Sequence, residues 1–410
     1  MITKSILRDK LLYSMLILIM YVFGQNVPIP WVVTPENALG GGGIQQYFRE
    51  LMTGSQTVVS VFSLGLMPWM TASIVWQIFQ SITRDNKSKT SSRKNYQKSM
   101  VLALLVAILQ GTVYTSSLQF SVPTHDYDAL LRIMTVITMI AGSSIVIVLA
   151  SSNNRYGIGG TSFLILGNIT ERLLTTAVSY WGEMAFFRTS TWNTVTLVLS
   201  PILWGLIVII VTVIFERGEI RIPISRVMIH NSFSDEDYIA VKMNPAGTMP
   251  AMFVMTFFAI PYYLLRILSH FYPGNKVILW WLDNLTITNF TGLLIFLLLL
   301  IVLTLTLSFI IISPQNISEQ FEKSGDLIPG LRAGKSTKRY LSHVLFRQGL
   351  NSGFAMAVVL GVPLSLQILL KSESQIFMAP ITLMILTGIT ATIIDQVQVI
   401  REMTQYKPFL

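Results

Sequence analysis

Cysteine is absent from this chain of 410 residues, and charged residues are scarce. The lack of cysteine excludes disulfide bonds, thiolate metal sites and cysteine nucleophiles. Charged residues make up 12% of the chain and hydrophobic residues 52%, whereas soluble proteins contain about 25% charged residues. This composition predicts an integral membrane protein. No polar stretch is long enough for a separate soluble domain, so we expect one membrane domain over residues 1–410.

Residues for catalysis are also few. No two histidines have the spacing of metal ligands on one helix, and all four lie in predicted loops or at the ends of apolar segments: His125, His230, His270 and His343. The loop at residues 330–337 (GLRAGKST) has three residues between its glycines, where a phosphate-binding loop has four. We therefore predict no enzyme activity, no cofactor and no metal. Energy for any transport must then come from a partner or an ion gradient.

Ten apolar windows long enough for a membrane span of about 20 residues follow one another along the chain. They centre on residues 11–23, 61–80, 100–118, 133–150, 161–180, 195–215, 246–265, 292–312, 352–370 and 379–394. If alternate loops face the cytosol, those loops and tails hold 22 of the 29 lysines and arginines. Since positive residues concentrate on the cytosolic side, we predict a multi-pass protein of the cell membrane with both termini in the cytosol. The net charge of +9 then reports topology and not nucleic-acid binding.

The second window is not a plain membrane anchor. Pro68 lacks a backbone donor, which is tolerated at membrane depth only where neighbouring groups compensate. Small residues beside it, Thr71, Ala72 and Ser73, let another backbone come close. This pattern predicts a helix that forms a wall within a bundle.

Ionisable residues inside the predicted spans are Glu171, Arg172 and Asp395. Such residues are expected to face water or a partner. Glu171 and Arg172 are adjacent and cannot share one helix face, which predicts a wet outer vestibule. A secondary transporter of a small solute is the alternative function, and it would ordinarily carry more carboxylates near the midplane.

Two predicted cytosolic loops, residues 215–244 and 315–347, are long enough to bind a partner. In the first, residues 220–226 alternate in polarity, residues 231–237 form a polar turn and residues 238–243 complete a predicted β-hairpin. The second loop is basic and carries Lys323, Arg332, Lys335, Lys338, Arg339 and Arg347. Such a surface can dock a partner or rest near anionic lipid.

A third segment, residues 34–56, follows the first window on the predicted outer side. After four glycines at positions 40–43, apolar residues recur as on one face of a short helix: Ile44, Tyr47, Phe48, Leu51 and Met52. A short amphipathic helix behind a flexible hinge can lie on the bilayer surface or fold back into a cavity.

Six segments in this order resemble the SecY protein-conducting channel family. They are residues 24–30 (GQNVPIP), 64–74 (LGLMPWMTASI), 157–160 (GIGG), 221–224 (RIPI), 242–250 (KMNPAGTMP) and 328–337 (IPGLRAGKST). Together they cover nearly the whole chain. The sequence departs from the family pattern at Val22, at the turn before the fifth helix, which lacks an asparagine, at Ala333 and in its short C-terminal tail. These departures resemble the accessory SecY found beside the housekeeping copy in some Gram-positive bacteria.

The resemblance implies an all-α membrane fold of ten transmembrane helices in two pseudo-symmetric inverted halves, residues 1–185 and 186–410. It implies an apolar pore ring, carried over by position onto Leu66, Met70, Ile165, Ile169, Met252, Gly388 and Ile393. The second and seventh helices would form a lateral gate around Pro68, Thr71, Asn244, Pro245 and Pro250. Residues 34–56 would be the plug that closes the outer funnel.

The resemblance also implies partners. A SecA-type motor ATPase, of the accessory kind, would dock on the two cytosolic loops through Arg221, Arg226, Arg332 and Lys335. SecE- and SecG-like small subunits, accessory secretory proteins, an unfolded preprotein and membrane lipid would complete the set. The implied function is to conduct unfolded preproteins across the membrane, in the accessory case large, glycosylated serine-rich surface adhesins.

Overall fold

The computed structural model describes residues 2–33, 59–83, 92–116, 118–120, 128–186, 191–226, 237–272, 274–370 and 375–405. The α-helices in these ranges are α1 (Ile2–Gln25), α2 (Met67–Thr83), α3 (Ser92–Ser116), α4 (Asp128–Tyr156), α5 (Gly160–Phe186), α6 (Thr191–Arg217), α7 (Met249–Phe271), α8 (Lys276–Asn284), α9 (Phe290–Ile311), α10 (Pro314–Ser324), α11 (Lys335–Leu370) and α12 (Ala379–Gln405). A short 3-10 helix, Gln375–Met378, precedes α12. Short strands are β1 (Val32–Val33), β2 (Gln119–Phe120), β3 (Glu219–Pro223), β4 (Ser225–Arg226), β5 (Tyr238–Lys242) and β6 (Asp326–Leu327).

Each predicted apolar window overlaps one long helix, and α8 and α10 are short additions between windows. Within the described residues, six helical segments are long and apolar enough to cross a membrane, and the apolar part of α7 is shorter. The chain is therefore a multi-pass membrane protein. The count of ten spans and the orientation of the termini stay predictions.

The helices pack in two groups that touch along two seams. In the first group, α2 packs on α3, α3 on α4, and α1, α4 and α5 on one another. In the second, α6 packs on α12, α7 and α11 on α9, and α12 on α7 and α11. One seam joins α1 and α5 to α12, and the other joins α2 to α7 and α9. The boundary of the predicted halves at residue 185 stays a prediction.

The position of Pro68 differs from the one predicted for the second apolar window, residues 61–80. The helix α2 begins at Met67, after a turn over residues 61–66, so Pro68 lies in its first turn and not within a span. The first N–H groups of a helix have no partner inside that helix, so the missing donor costs little there. Pro250 likewise lies in the first turn of α7.

The pairing of strands β3 to β6 corrects the predicted β-hairpin. Strands β3 and β5 are antiparallel, with Arg221 opposite Ala240, but the first strand ends at Pro223 and does not run to residue 226. Instead, β4 pairs with β6 from the other predicted loop. An apolar cluster joins the two loops through Ile222, Val241, Phe321, Ile328, Leu341 and Leu345. We call strands β3 to β6 with α10 the paired-loop unit. The link between β4 and β5 lies outside the described residues.

Helix α9 has a packed side and an open side. Three glycines of α11, Gly349, Gly353 and Gly361, lie against α9, and a Cβ at Gly353 would be 3.3 Å from the Cα of Ile301. Small residues allow two helices to approach this closely in a membrane. The other side of α9 exposes large apolar side chains at every fourth position: Phe290, Leu294, Leu298 and Val302. A stripe of this kind in a membrane protein faces lipid.

Candidate functional site

Five predicted pore residues are buried in the apolar core that extends through both helix groups. Leu66 directly precedes α2 and Met70 lies in its first turn. Ile165 and Ile169 belong to α5, and Met252 belongs to α7. All five are buried in one apolar cluster, and Leu66 and Ile169 have no exposed surface. We call these five residues the waist cluster. Both helix groups therefore contribute predicted pore residues to one continuous apolar core.

Helix α12 approaches the start of α7 through a glycine. Gly388 is buried, and a Cβ built on it would clash with the side chain of Thr248, which directly precedes α7. Ile393 lies at a different height, because five residues of helix rise about 7.5 Å. It packs partly against the apolar core and lies beside Gly159, where a Cβ would be 3.2 Å from its Cγ1.

A glycine turn between α4 and α5 sets the position of α5. Gly159 and Gly160 have φ angles of +76° and +51°, a region that side-chain-bearing residues avoid. The Asn153 amide donates hydrogen bonds to the carbonyls of Ile158 (3.1 Å) and Gly160 (2.9 Å). The Ile158 N–H donates to Oγ of Ser14 at 2.8 Å.

The turn has no asparagine of its own, yet Asn153 on the preceding helix holds it. The Gly159 N–H in turn donates to Oε1 of Gln396 on α12 at 3.0 Å. This bond ties the start of α5 to the second helix group. Sequence reasoning missed both contacts, because neither partner is close to the turn in a recognisable motif.

The predicted gate residues are all buried: Pro68, Thr71, Asn244, Pro245 and Pro250. Thr71 Oγ1 donates to the Met67 carbonyl at 2.7 Å, which satisfies its hydroxyl within the first turn of α2. Asn244 Nδ2 donates to the Gly247 carbonyl at 2.6 Å and shapes the segment that leads into α7. Helices α2 and α7 are in contact, so this seam is closed in the structure.

Asp395 forms an ion-pair network that the sequence did not indicate. Its Oδ1 lies 2.9 Å from Nη1 of Arg217 at the end of α6, and its Oδ2 lies 3.7 Å from Nζ of Lys242 in β5. The carboxylate therefore links α12, α6 and the paired-loop unit. No local sequence pattern brings together three residues so far apart.

Other polar residues lie inside the first helix group. Asn168 on α5 accepts a hydrogen bond from Gln25 Nε2 at 3.1 Å and donates one to the Tyr21 hydroxyl at 2.9 Å. These bonds satisfy buried amides between α1 and α5. One turn along α5, Arg172 is buried and Glu171 half-buried. The wet outer vestibule predicted from this pair stays a prediction.

The predicted motor-binding residues lie on the paired-loop unit or next to it. The Arg221 guanidinium lies 4.7 Å from the centre of the Tyr238 ring and 3.0 Å from Oε1 of Glu219. Arg332 and Lys335 are exposed just before and at the start of α11. The backbone of Arg226 lies opposite that of Asp326 in the pairing of β4 with β6. The predicted plug residues, Ile44, Tyr47, Phe48, Leu51 and Met52, lie outside the described residues.

Comparison with known proteins decides the family. The SecY family model matches residues 60–398. The chain belongs to the SecY family. The resemblance found in its motifs is thereby confirmed.

Two relatives of this SecY chain from streptococci carry the same name. It is 30% identical over 405 residues to the accessory Sec system protein translocase subunit SecY2 of Streptococcus agalactiae serotype Ia, covering 98% of this chain and 96% of that one. It is 26% identical to the protein of the same name from Streptococcus sanguinis, covering 99% of both chains.

Solved structures agree on the fold. A structure of a protein conducting channel matches with a TM-score of 0.69 and 15% identity, covering 98% of this chain and 94% of that chain. Sec61 in the canine ribosome-channel complex from the endoplasmic reticulum matches with a TM-score of 0.65 and 15% identity over the same shares of the chains.

Proposed function

We propose that this chain is the central subunit of a translocation channel that conducts unfolded preproteins across the cell membrane. The waist cluster is the main support, since its five side chains are apolar and are all buried in the core that both helix groups share. A narrow apolar constriction excludes ions because it is too dry for them. Methionine side chains such as Met70 and Met252 repack around varied shapes, which suits a seal that must yield to many sequences.

The seam between α2 and α7 is the proposed lateral gate. A preprotein segment that is apolar enough to enter lipid would leave the channel between these helices. After Met70, three small residues follow one another in the second turn of α2: Thr71, Ala72 and Ser73. Small contact residues permit separation and closure of two helices without large cavities.

The paired-loop unit is the proposed docking surface for a SecA-type motor ATPase. Arg221, Arg332 and Lys335 are exposed on or beside it, and the shared apolar cluster holds the two loops together. Because the two loops pack on each other, a motor bound at Arg332 would also transmit force to β3 and β5. Residues 34–56 are proposed as the plug, and SecE- and SecG-like subunits and accessory secretory proteins as further partners.

The relatives' shared name supports an accessory role with large, glycosylated serine-rich adhesins as cargo. Expression of this chain in cells depleted of their housekeeping channel tests this assignment. We expect it to restore export of such an adhesin when its own motor is present, but not general secretion. Restoration of general secretion by this chain alone would refute the accessory role.

A secondary transporter of a small solute is the alternative. Proteoliposomes containing the chain, its small subunits and the motor separate the two functions. The proposal predicts that a preprotein becomes protected from added protease only with hydrolysable ATP, and that small solutes show no saturable uptake. Saturable solute uptake without preprotein protection would favour the transporter.

A further inference from the structure

Helix α8 presents three chemically different sides. It follows α7, which is 23 residues or about 34 Å long, so it lies at the end of α7 away from the paired-loop unit. Ile278 and Leu282, one turn apart, are half-buried against the protein. Val277, Trp280 and Trp281 lie together on another side and are 63%, 53% and 40% exposed. Lys276 and Asp283 occupy the third side, which also carries Leu279, 47% exposed.

Hydrogen bonds fix the orientation of α8. At its N-terminus, Asn275 Oδ1 accepts from the Val277 N–H at 3.0 Å. At its C-terminus, Asn289 Nδ2 donates to the Asp283 carbonyl at 2.6 Å, and Thr291 Oγ1 donates to the Asn284 carbonyl at 3.2 Å. Both donors belong to the start of α9. The side that carries the two tryptophans is therefore held in place by a membrane-spanning helix.

The apolar side of α8 continues the lipid-facing surface of its neighbours. Phe271 at the end of α7 is 71% exposed and Phe290 at the start of α9 is 68% exposed. From Phe290, the exposed stripe of α9 runs on towards the paired-loop unit. Tryptophan is enriched at the boundary between lipid and water because its ring is apolar and its N–H is polar. A helix with one apolar and one charged side lies in the plane of that boundary.

We propose that α8 is an interfacial helix, with Val277, Trp280 and Trp281 inserted among the lipid acyl chains and Lys276 and Asp283 in the headgroup region. A short link at residues 272–275 joins α8 to α7, and the bonds from Asn289 and Thr291 join it to α9. The helix therefore holds this end of α7 at the membrane boundary. The role of α8 in holding α7 rests on the proposed lateral gate. In that gate, α7 would pivot about the end that α8 anchors at the membrane boundary.

Single cysteines can test the lipid contact directly because the chain has none of its own. The purified full chain with Trp281→Cys is labelled with an environment-sensitive NBD fluorophore and reconstituted into vesicles. Asp283→Cys is the matched control, two residues away on the charged side. We expect blue-shifted emission at position 281, with loss of a large fraction of it when the vesicle lipids carry nitroxides on the upper acyl chain. At position 283, we expect water-like emission that the lipid nitroxides quench only slightly.

The proposal is overturned by equal, water-like emission at both positions. It is also overturned by blue-shifted emission at position 281 that lipid nitroxides do not quench, since protein would then cover the side chain. Trp280→Cys repeats the measurement if Trp281→Cys does not yield a monodisperse protein. The assay needs no motor and no preprotein, so its failure would refute the interfacial helix and leave the proposed channel function untouched.

Discussion

At the scale of single residues, the contact between Gly388 and Thr248 leaves no room for a side chain. We expect Gly388→Ala to push α12 away from the start of α7 and to destabilise the chain by about 1–3 kcal/mol, the usual cost of overpacking. Because Met252 of the waist cluster lies one turn beyond Thr248, ion leak through reconstituted channels should rise. Thermal unfolding in detergent and conductance in bilayers measure the two effects.

Gly111→Ala is the matched control for that change. A Cβ at Gly111 would be 3.3 Å from Val136 Cγ1 on α4 and 3.7 Å from Leu64 Cδ1, and neither residue belongs to the waist cluster. A small loss of stability and no added leak are expected. Equal leak in the two variants would show that the contact at Gly388 does not bear on the seal.

Arg332 is the residue on which motor docking can be tested most simply. Its side chain is exposed, so Arg332→Glu should leave folding and membrane insertion unchanged. Reversal of the charge should abolish motor-driven export, because a like charge now faces an acidic partner surface. Export of a preprotein in cells and the amount of channel in the membrane fraction are the measurements.

Arg8→Glu makes the same change of charge on α1, at an equally exposed position. Export should persist in that variant. If Arg332→Glu exports normally, Arg332 has no part in motor docking.

At the scale of elements, Asp395 joins α12 to α6 and to the paired-loop unit. The carboxylate is 38% exposed, and pairs of this kind contribute about 0.2–1 kcal/mol. Asp395→Asn should therefore cost little stability, and Asp395→Arg more, because it faces two cations. Arg217→Asp in the same chain should recover part of that loss. A double-mutant cycle of unfolding free energies tests this, and strictly additive losses would argue against the network.

Deletion of the proposed plug tests a second element. Removal of residues 44–52 should leave preprotein translocation largely intact, because the waist cluster and the gate helices remain. Ion conductance through idle channels should rise, since the outer funnel then lacks its closure. Unchanged conductance in planar bilayers would contradict the assignment of this segment.

Individual elements differed in how well the sequence predicted them. Long apolar windows located the long helices because membrane spans are set by local hydropathy. The start of α2 was missed, since hydropathy does not reveal that the turn at residues 61–66 precedes the helix. The pairing of β4 with β6 was missed because two-residue strands carry no periodicity.

The candidate site shows the same division. Motif resemblance selected the five waist residues, and the structure buries them together. The motif resemblance did not predict the contacts of Asn153 and Gln396 with the glycine turn, because those contacts depend on how α4 and α12 pack. Which of Gly388 and Ile393 lies nearer the waist cluster likewise depends on how α12 packs and not on its sequence alone.

At the scale of the whole molecule, two helix groups meet along one seam at α12 and another at α2. The waist cluster draws its residues from both groups, so we expect separation of the groups to widen the constriction and to open the seam between α2 and α7 together. This coupling is the central claim of the proposed mechanism. It requires that a polypeptide in transit touch the waist cluster.

Photocrosslinking measures that contact directly. A photoreactive amino acid replaces Met70 or Met252, and a secretory chain is stalled during export. A probe at Leu294, which is 53% exposed on the lipid side of α9, is the control. We predict crosslinks to the stalled chain from positions 70 and 252 and none from position 294. Absence of crosslinks from both waist positions, or equally strong ones from position 294, would contradict the account.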